Sequence, residues 1–418
     1  MLVPQEERGG RTAPPTGPGT PREPTRRIRD VDALRGFALF GILLVNVQVM
    51  ADPYAGQGPY GSVGERIACW LVTALVSTKF YLLFAFLFGY SFTLQARSAE
   101  RAGAGFAGRQ LRRLLCLWCL GLAHAVLLFP GDILMTYAAL GLALFAARGL
   151  APRKAIRAAA VLVVSLGVLL LGRGLLALAA TAPGGAAVPG TDTAAAAYRG
   201  GPGSVVQANL AQWHDLLAGD LLYAPHILAA FLVGLAAGKR QLLAEFDRYR
   251  DRARRLVGYG LPVGLAGGVV TAVCRNGPLD ERWYDIGTAV GVLTAPALTA
   301  AYGSGLLLVL RTRGGRRLGG MLAAAGRMAL TNYLTQSLVM ALAFTGYGLA
   351  LRGRVGLVPV LAGCCGCYAV QLALSAGLVR RFRHGPVEWL LHNVTRGSGH
   401  RPGSPPATVV RTSPRGST

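Results

Sequence analysis

The chain has 418 residues, of which 52% are hydrophobic and only 15% are charged, and its mean hydropathy is +0.43. These values exclude an ordinary soluble domain of this size and predict an all-α, polytopic integral membrane protein. The formal net charge of +24 is distributed in clusters between apolar stretches rather than gathered on one basic domain. It therefore indicates membrane topology and argues against a nucleic-acid partner.

Two tails flank the membrane domain. Residues 1–28 and 396–418 are poor in large apolar side chains and rich in Pro, Gly and Arg, so we expect both to be disordered. The first apolar run begins after Ala33 without a small-residue cleavage site, which argues against a cleaved signal peptide. Residues 29–395 then form one membrane domain.

About ten segments of the membrane domain are long enough to cross a hydrocarbon core of about 30 Å as helices. They cover residues 33–50, 70–94, 111–129, 132–148, 155–180, 220–238, 255–274, 286–310, 326–349 and 355–379. Residues 181–220 are of low complexity, and we expect them to form a long external loop. This loop separates an N-terminal part, about 29–180, from a C-terminal part, about 220–395.

The loops between these segments alternate in charge. Basic loops are expected at the N-terminal tail, 97–113, 148–157, 239–255, 311–317 and from 380 onward. Because basic loops stay on the cytoplasmic side, the alternation predicts that both termini are cytoplasmic and that the protein is a multi-pass protein of the plasma or inner membrane.

The first span combines charged and amide side chains on one helix face. Arg35 and Asn46 are eleven residues apart, which puts them about 16 Å apart along the axis and within about 20° of the same face. Polar groups at membrane depth are costly unless they meet a partner or line a wet cavity, so we expect this face to point into the protein. The alternative is that Asp32 and Arg35 anchor the helix at lipid headgroups and that Asn46 joins helices.

A second feature is a tight turn, Phe129-Pro130-Gly131, between the third and fourth spans. It brings His124 and Asp132 close together, so that the carboxylate can orient the imidazole as a catalytic base. A lone intramembrane histidine is more often a helix-to-helix hydrogen-bonding group, and this alternative stays open.

Other polar side chains lie within apolar runs. Lys79 must snorkel, pair or serve a site. In the ninth span Arg327, Asn332 and Gln336 belong to a polar half-cylinder that runs inward from the cytoplasmic surface, and we expect these side chains to bind substrate.

The seven cysteines lie almost entirely in apolar stretches and imply no disulfide framework. Cys116 and Cys119, and the group from Cys364 to Cys367, have only weak metal-site spacing without a matching set of ligands, so no metal site is expected.

Five motifs in order resemble the YeiB-like family, which carries a domain of unknown function, DUF418. They are DALRGFALFGILLVN at 32–46, KFYLLFAFLFG at 79–89, LGLAHAVLLFPGDILMTYAALG at 120–141, GRMALTNYLTQS at 326–337 and GPVEW at 385–389. The resemblance covers nearly the whole membrane-spanning region.

The first helix is also similar to that of the transmembrane acyltransferases, a wider group in which one branch has a catalytic histidine eleven residues after the arginine. Asn46 occupies that position here. The heparan-type acetyltransferase branch likewise has asparagine there and takes its histidine from elsewhere, a role for which His124 is the candidate in this chain.

This resemblance implies an enzyme that moves an acyl group from a cytoplasmic donor, acyl-CoA as co-substrate, to a small-molecule or envelope-glycan acceptor at the outer face. Arg35, Arg327 and Lys79 would neutralise the donor phosphates, His124 with Asp132 would act as base, and Asn46 would stabilise the oxyanion. No bound cofactor is expected. One alternative is a proton-coupled transporter of a small polar solute, although the sequence has no clear inverted repeat, which argues against it. Another alternative is a scaffold without chemistry.

Overall fold

The computed structural model describes residues 23–51, 62–101, 103, 105–180, 191–382 and 384–396. Within these ranges the regular elements are helices and no strand occurs, which confirms the all-α prediction. The predicted tails, except for residues 23–28 and 396, lie outside the described residues, as do residues 181–190 of the predicted external loop.

The described ranges contain fourteen α-helices. In chain order they are α1 (Glu23–Ala51), α2 (Val63–Leu71), α3 (Lys79–Arg101), α4 (Phe106–Leu127), α5 (Leu134–Ala146), α6 (Pro152–Ala179), α7 (Thr191–Arg199), α8 (Pro202–Lys239), α9 (Arg250–Asn276), α10 (Tyr284–Leu310), α11 (Gly315–Arg327), α12 (Ala329–Phe344), α13 (Leu357–Arg381) and α14 (Pro386–Arg396). A π-helical turn, Val72–Val76, connects α2 with α3.

Eight helical segments in the described ranges are long and apolar enough to cross a membrane. They comprise α1, the α2–α3 unit, α4, α6, α8, α9, α10 and α13. Each of the ten predicted spans coincides with a helix, but two of these helices are short. The fourth span is the short helix α5, and the ninth is reduced to α12 because the chain breaks its helical path at Met328.

The stretch that was expected to be an external loop contains helix. The described part of 181–220 includes α7 and the first half of α8, which is 38 residues long. Its alanine content favours helix, and Pro202 occupies the first turn, where a missing amide hydrogen costs nothing.

Two helices near the centre organise the packing. α1 packs against α3, α11, α12 and α13, while α3 packs along α8. The backbones of α3 and α8 approach closely at Gly89 and Gly234, where an added Cβ would collide with the carbonyl oxygens of Phe231 and Phe86. Small residues at such crossings let membrane helices associate through van der Waals contact.

The C-terminal motif fixes the start of α12. The Glu388 carboxylate on α14 accepts the backbone amides of Leu330 at 2.7 Å and Thr331 at 3.0 Å, and the Thr331 hydroxyl at 2.6 Å. An anionic group at a helix N-terminus satisfies amides that have no intrahelical acceptor. This contact explains why α12 begins as a separate helix after Met328.

An ion network lies near the N-terminal end of α1. Arg311, which follows α10, contacts Asp30 of α1 through two hydrogen bonds of 2.7 and 3.0 Å and Asp247 at 3.3 Å. Hydrogen bonding to Asp30 raises the pKa of the Arg311 guanidinium above its ordinary value.

Candidate active site

The tight turn between α4 and α5 brings His124 and Asp132 together. His124 lies in the last turn of α4, and its Nδ1 is 2.8 Å from Asp132 Oδ1. Both residues are buried, with 2% and 5% of their surface exposed. The predicted proximity of these two side chains is therefore present, although a catalytic role for them stays a prediction.

The second oxygen of Asp132 is held by the start of α5. It accepts the backbone amide of Met135 at 2.9 Å, so the carboxylate is bound on both sides. An ionised Asp132 favours the tautomer in which His124 Nδ1 carries the proton and Nε2 has a free lone pair. That arrangement prepares Nε2 to accept a proton.

His124 Nε2 is buried, and it has no hydrogen-bond partner among the described residues. The imidazole lies against the Tyr333 ring at 5.0 Å and the Phe129 ring at 6.2 Å, measured between ring centroids. Leaving a buried polar atom without a partner costs about 1–3 kcal/mol. Such atoms are uncommon in native folds, and a catalytic role is one explanation for them, as is a bound water molecule.

Gly121, one turn before His124, permits the close approach of α4 and α5. A Cβ at this position would collide with Asp132 Oδ2 and would lie 2.7 Å from the Met135 backbone nitrogen. The carboxylate and the first turn of α5 thus occupy space that any side chain at residue 121 would take.

A second polar group, the half-buried carboxylate of Asp220, lies near the pair and was not recognised from the sequence. Asp220 of α8 accepts the Thr136 hydroxyl at 2.9 Å. The Tyr137 hydroxyl donates to the Tyr81 carbonyl at 3.0 Å, and the Tyr81 hydroxyl is 3.0 Å from His226 Nδ1. Asp220 could have been recognised in the sequence as an acid within a long apolar helix, but it was interpreted as the end of a loop.

The cationic cluster at the other end of the bundle contains two of the predicted arginines. Arg35 pairs with Asp32 at 2.8 Å and also donates to the Ser91 hydroxyl. Arg327 is exposed and lies within electrostatic reach of Asp32. A third arginine, Arg113 of α4, stacks over the Phe88 ring at 5.2 Å and is close enough to Arg35 to interact with it.

Lys79 does not belong to this cluster. It is buried at the first residue of α3, where its Nζ donates to the Thr73 carbonyl at 3.1 Å. Ser91, which contacts Arg35, is twelve residues further along α3. The helix rise therefore separates Lys79 from that contact by about 18 Å.

Asn332 and Gln336 face α13 rather than the histidine pair. The Asn332 amide donates to the Ala325 carbonyl and to Ser375, both at 3.0 Å, and Gln336 donates to Gln371 at 2.8 Å. Gln371 in turn donates to the Asn332 carbonyl at 3.2 Å. These amides form a ladder between two helices.

Asn46 is half-buried on α1, and no hydrogen bond to its side chain is present among the described residues. Its neighbour Gln48 donates to the Leu44 carbonyl at 2.9 Å. The predicted role of Asn46 at an oxyanion therefore rests on its position in the first motif.

A small cavity of about 10 Å³, with room for about one water molecule, lies next to the turn at Phe129 and Pro130. Arg352 lines it, donates to the Met50 carbonyl at 3.0 Å and stacks 3.9 Å above the Tyr198 ring. Burial raises the pKa of Tyr198 to about 12, so its hydroxyl stays protonated and donates to Gln212.

No group of three or more His, Cys, Asp or Glu side chains with the geometry of a metal site occurs among the described residues. The cysteines in these ranges are free thiols.

Comparison with known proteins gives a consistent assignment. The sequence profile of the family described as "Protein of unknown function (DUF418)" matches residues 237–398. Over 397 residues the chain is 32% identical to the uncharacterised protein YxaH of Bacillus subtilis, and the match covers 88% of this chain and 94% of the relative. The chain belongs to the YeiB-like DUF418 family.

Two further relatives extend this membership of the YeiB-like family. Escherichia coli YeiB is 30% identical over 385 residues, covering 87% of this chain and 95% of YeiB. An uncharacterised 39.9 kDa protein from the amylase 3′ region of Bacillus acidopullulyticus is 28% identical over 387 residues, with 88% and 94% coverage.

In this YeiB-like protein the sequence motifs meet one another in space. His124 of the third motif lies against Tyr333 of the fourth, and Glu388 of the fifth binds the start of the fourth at Thr331. Ser91, just after the second motif, contacts Arg35 of the first. The motifs thus form one connected interior.

Proposed function

We propose that this protein is a membrane acyltransferase in which His124, oriented by Asp132, is the general base. The observation that carries the proposal is the buried His124/Asp132 pair whose Nε2 is left without a hydrogen-bond partner. A histidine fixed by a carboxylate on one nitrogen and free on the other is the arrangement that general-base catalysis requires.

The proposed reaction uses an acyl-CoA thioester and an acceptor hydroxyl or amine. The acceptor heteroatom forms a bond to the acyl carbonyl carbon while His124 Nε2 takes its proton. The tetrahedral intermediate then expels the CoA thiolate, which receives that proton from the imidazolium. The Asn46 amide would donate to the oxyanion in this scheme.

The charge distribution supports a donor that enters from the side predicted to be cytoplasmic. Arg35 and Arg327 lie close to a single acid, Asp32. Arg113 lies close to Arg35, so the cluster has an excess of positive charge for the phosphates of CoA. Lys79 is too far along α3 to share in this binding. The acceptor, a small molecule or an envelope glycan, would approach from the side of Phe129 and Arg352.

The test is acyl transfer from radiolabelled acyl-CoA, from acetyl to palmitoyl, in membranes that contain the protein. We expect His124→Gln and Asp132→Asn to lower the rate by about 10²-fold or more. His214→Gln is the matched control, because His214 is exposed on α8 and outside the pair. Wild-type rates in an inserted His124→Gln variant, or absence of transfer by the wild type with every donor, would refute the assignment.

A second candidate is a proton-coupled transporter of a small polar solute. The observation that favours it is a row of polar side chains near the pair, in which Asp220 accepts the Thr136 hydroxyl and the Tyr81 hydroxyl contacts His226. The Tyr137 hydroxyl donates to the Tyr81 carbonyl between them. Intramembrane ionisable groups often belong to proton relays.

Solute uptake into proteoliposomes under a pH gradient, without acyl donor, distinguishes the two candidates. In a transporter Asp220→Asn should abolish uptake because it removes an ionisable group from the row. In the acyltransferase the same substitution should leave most acyl transfer intact, because Asp220 lies outside the His124/Asp132 pair.

A further inference from the structure

A large crevice of about 700 Å³ lies apart from the His124/Asp132 pair, between α3, α6, α8, α9 and α10. His226 lines one end of the crevice, whereas Arg240 and Arg252 line the opposite end. Neither His124 nor Asp132 lines it. The small cavity at Phe129 and the crevice share no lining residue, so they are separate spaces in the described part of the chain.

The crevice is apolar along most of its length. Its walls are mainly Leu, Val, Ile, Ala and Phe side chains. The polar lining side chains are His226, Arg240, Tyr249, Arg252, Thr299 and Ser304. Water molecules find few hydrogen-bond partners on such a surface, so a hydrocarbon chain fits the crevice better than water does.

The crevice opens toward the region that the bilayer would occupy. Val164 on α6, Leu256 on α9 and Leu293 on α10 line it and are also exposed, between 48% and 54%. A lipid chain can therefore enter sideways from the membrane without crossing an aqueous phase.

Positive charge is concentrated at one end. Arg240 follows α8 and Arg252 lies in the first turn of α9, with its guanidinium 5.3 Å from the Tyr249 ring. Neither side chain has a hydrogen bond or an ion pair among the described residues. Two exposed guanidinium groups are therefore available to an anion at this end.

The acids nearby are bound to other arginines. These ion pairs are Glu245 with Arg248 at 3.4 Å, Asp251 with Arg254 at 3.3 Å and Asp247 with Arg311 at 3.3 Å. The crevice end thus keeps a net positive charge that complements a phosphate group, with which arginine forms bidentate hydrogen bonds.

The length of the crevice exceeds one leaflet. Arg240 and His226 are fourteen residues apart along α8. The helix rise places them about 21 Å apart, compared with about 15 Å for half of a 30 Å hydrocarbon core. A chain that follows the crevice would pass the membrane midplane and end near His226.

We propose that the crevice is a binding site for an anionic phospholipid from the leaflet on the side of Arg240 and Arg252, the side that the basic loops predict to be cytoplasmic. The phosphate lies between the two guanidinium groups, and one acyl chain follows α8 toward His226. This site does not depend on acyl transfer at His124, and lipid binding and acyl transfer are measured separately.

The test is native mass spectrometry of the whole protein, released from nanodiscs with equal amounts of phosphatidylglycerol and phosphatidylcholine of the same chains. We expect phosphatidylglycerol to be retained about tenfold or more over phosphatidylcholine, and Arg240→Gln/Arg252→Gln to abolish this preference. The matched control, Arg250→Gln/Arg255→Gln, removes the same charge from the same segment outside the crevice and should keep the preference.

A second pair of variants tests the apolar part. Ala160 is exposed on the crevice wall, so Ala160→Trp should fill the crevice without unfolding the protein and should reduce retention of both lipids. Val161→Trp, on the same helix but outside the lining, is its control and should retain lipid normally. The proposal would be overturned if the wild type retained the two lipids equally or if the Arg250/Arg255 control lost the preference. It would also be overturned if acyl-CoA, added without any lipid, displaced the bound phosphatidylglycerol.

Discussion

His124 and Asp132 are held together by backbone geometry rather than by their own attraction alone. The turn at Phe129-Pro130-Gly131 sets the distance between α4 and α5, and the Met135 amide fixes the carboxylate from behind. A carboxylate held from two sides cannot follow the imidazole if the ring moves. The orientation of His124 therefore depends on the packing of the two helices.

Gly121 is the residue at which this dependence can be tested. Gly121→Ala should push Asp132 and Met135 away, at a cost of about 1–3 kcal/mol in the free energy of unfolding, because overpacking a close contact forces the backbone to shift. Acyl transfer should fall together with stability. Thermal unfolding in detergent and the radiolabel assay measure the two effects.

Gly172→Ala on α6 is the matched control, since a Cβ there meets nothing within 4 Å. Its expected effect is neutral or stabilising, because alanine favours helix over glycine by about 0.5–1 kcal/mol. Equal stability of the two variants would show that α4 and α5 are less closely packed than described.

The polar face of α12 shows how one helix serves two neighbours. On one side Asn332 and Gln336 meet Ser375 and Gln371 of α13, while on another side Tyr333 lies against His124. Interhelical amide hydrogen bonds of this kind contribute about 0.6 kcal/mol on average within membranes. The ladder can therefore fix the position of α12 and, through Tyr333, the packing around the His124 ring.

Gln336 and Gln371 allow a comparison of two roles for this ladder. If Gln336 only joins helices, Gln336→Ala and Gln371→Ala should have equal, small effects on acyl transfer and a coupling of about 0.5–1.5 kcal/mol in a double-mutant cycle. If Gln336 binds substrate, Gln336→Ala should raise KM while Gln371→Ala does not. Stability measurements and KM values from the four proteins of the cycle decide between these outcomes.

At the scale of the whole molecule, the two ends of the bundle differ in chemistry. Arg35, Arg327 and the Arg311 network lie at one end, whereas the His124/Asp132 pair, Arg352 and the small cavity lie toward the other. This polarity supports a reaction in which donor and acceptor arrive from opposite sides. The proposal therefore also predicts the orientation of the protein in the membrane, which can be measured.

Cysteines introduced at the loops test that orientation. In a variant whose exposed native thiols, Cys119 and Cys365, are replaced by alanine, we expect a membrane-impermeant thiol reagent to label Arg282→Cys in intact cells. Arg313→Cys should be labelled only after permeabilisation, because basic loops remain in the cytoplasm. The reverse pattern would place the termini outside and would invert the proposed direction of transfer.

Much of this fold could be predicted because long apolar runs in a membrane have few alternatives to helix. Each of the ten predicted spans contains helix, although eight segments in the described ranges are long and apolar enough to cross a membrane. A three-residue turn was enough to predict the contact between His124 and Asp132. The interpretation of residues 181–220 as a loop was wrong where α7 and α8 occur, since low sequence complexity did not exclude an alanine-rich helix. Lys79 was predicted to bind the donor together with Arg35, but Lys79 begins α3 whereas the contact of Arg35 lies twelve residues further along that helix. Hydropathy alone does not locate the start of α3.

The sequence by itself determined that the chain is all-helical, that it is built of membrane-length segments and that it belongs to the YeiB-like family, because hydropathy and motif order are properties of the chain. Only the tertiary structure decided which polar side chains meet. It turned Asn332 and Gln336 toward α13, joined Asp220 to Thr136, and opened a crevice between Arg240 and His226. These outcomes depend on helix rotation and pairing, which are set by the summed packing of many distant residues rather than by any local pattern.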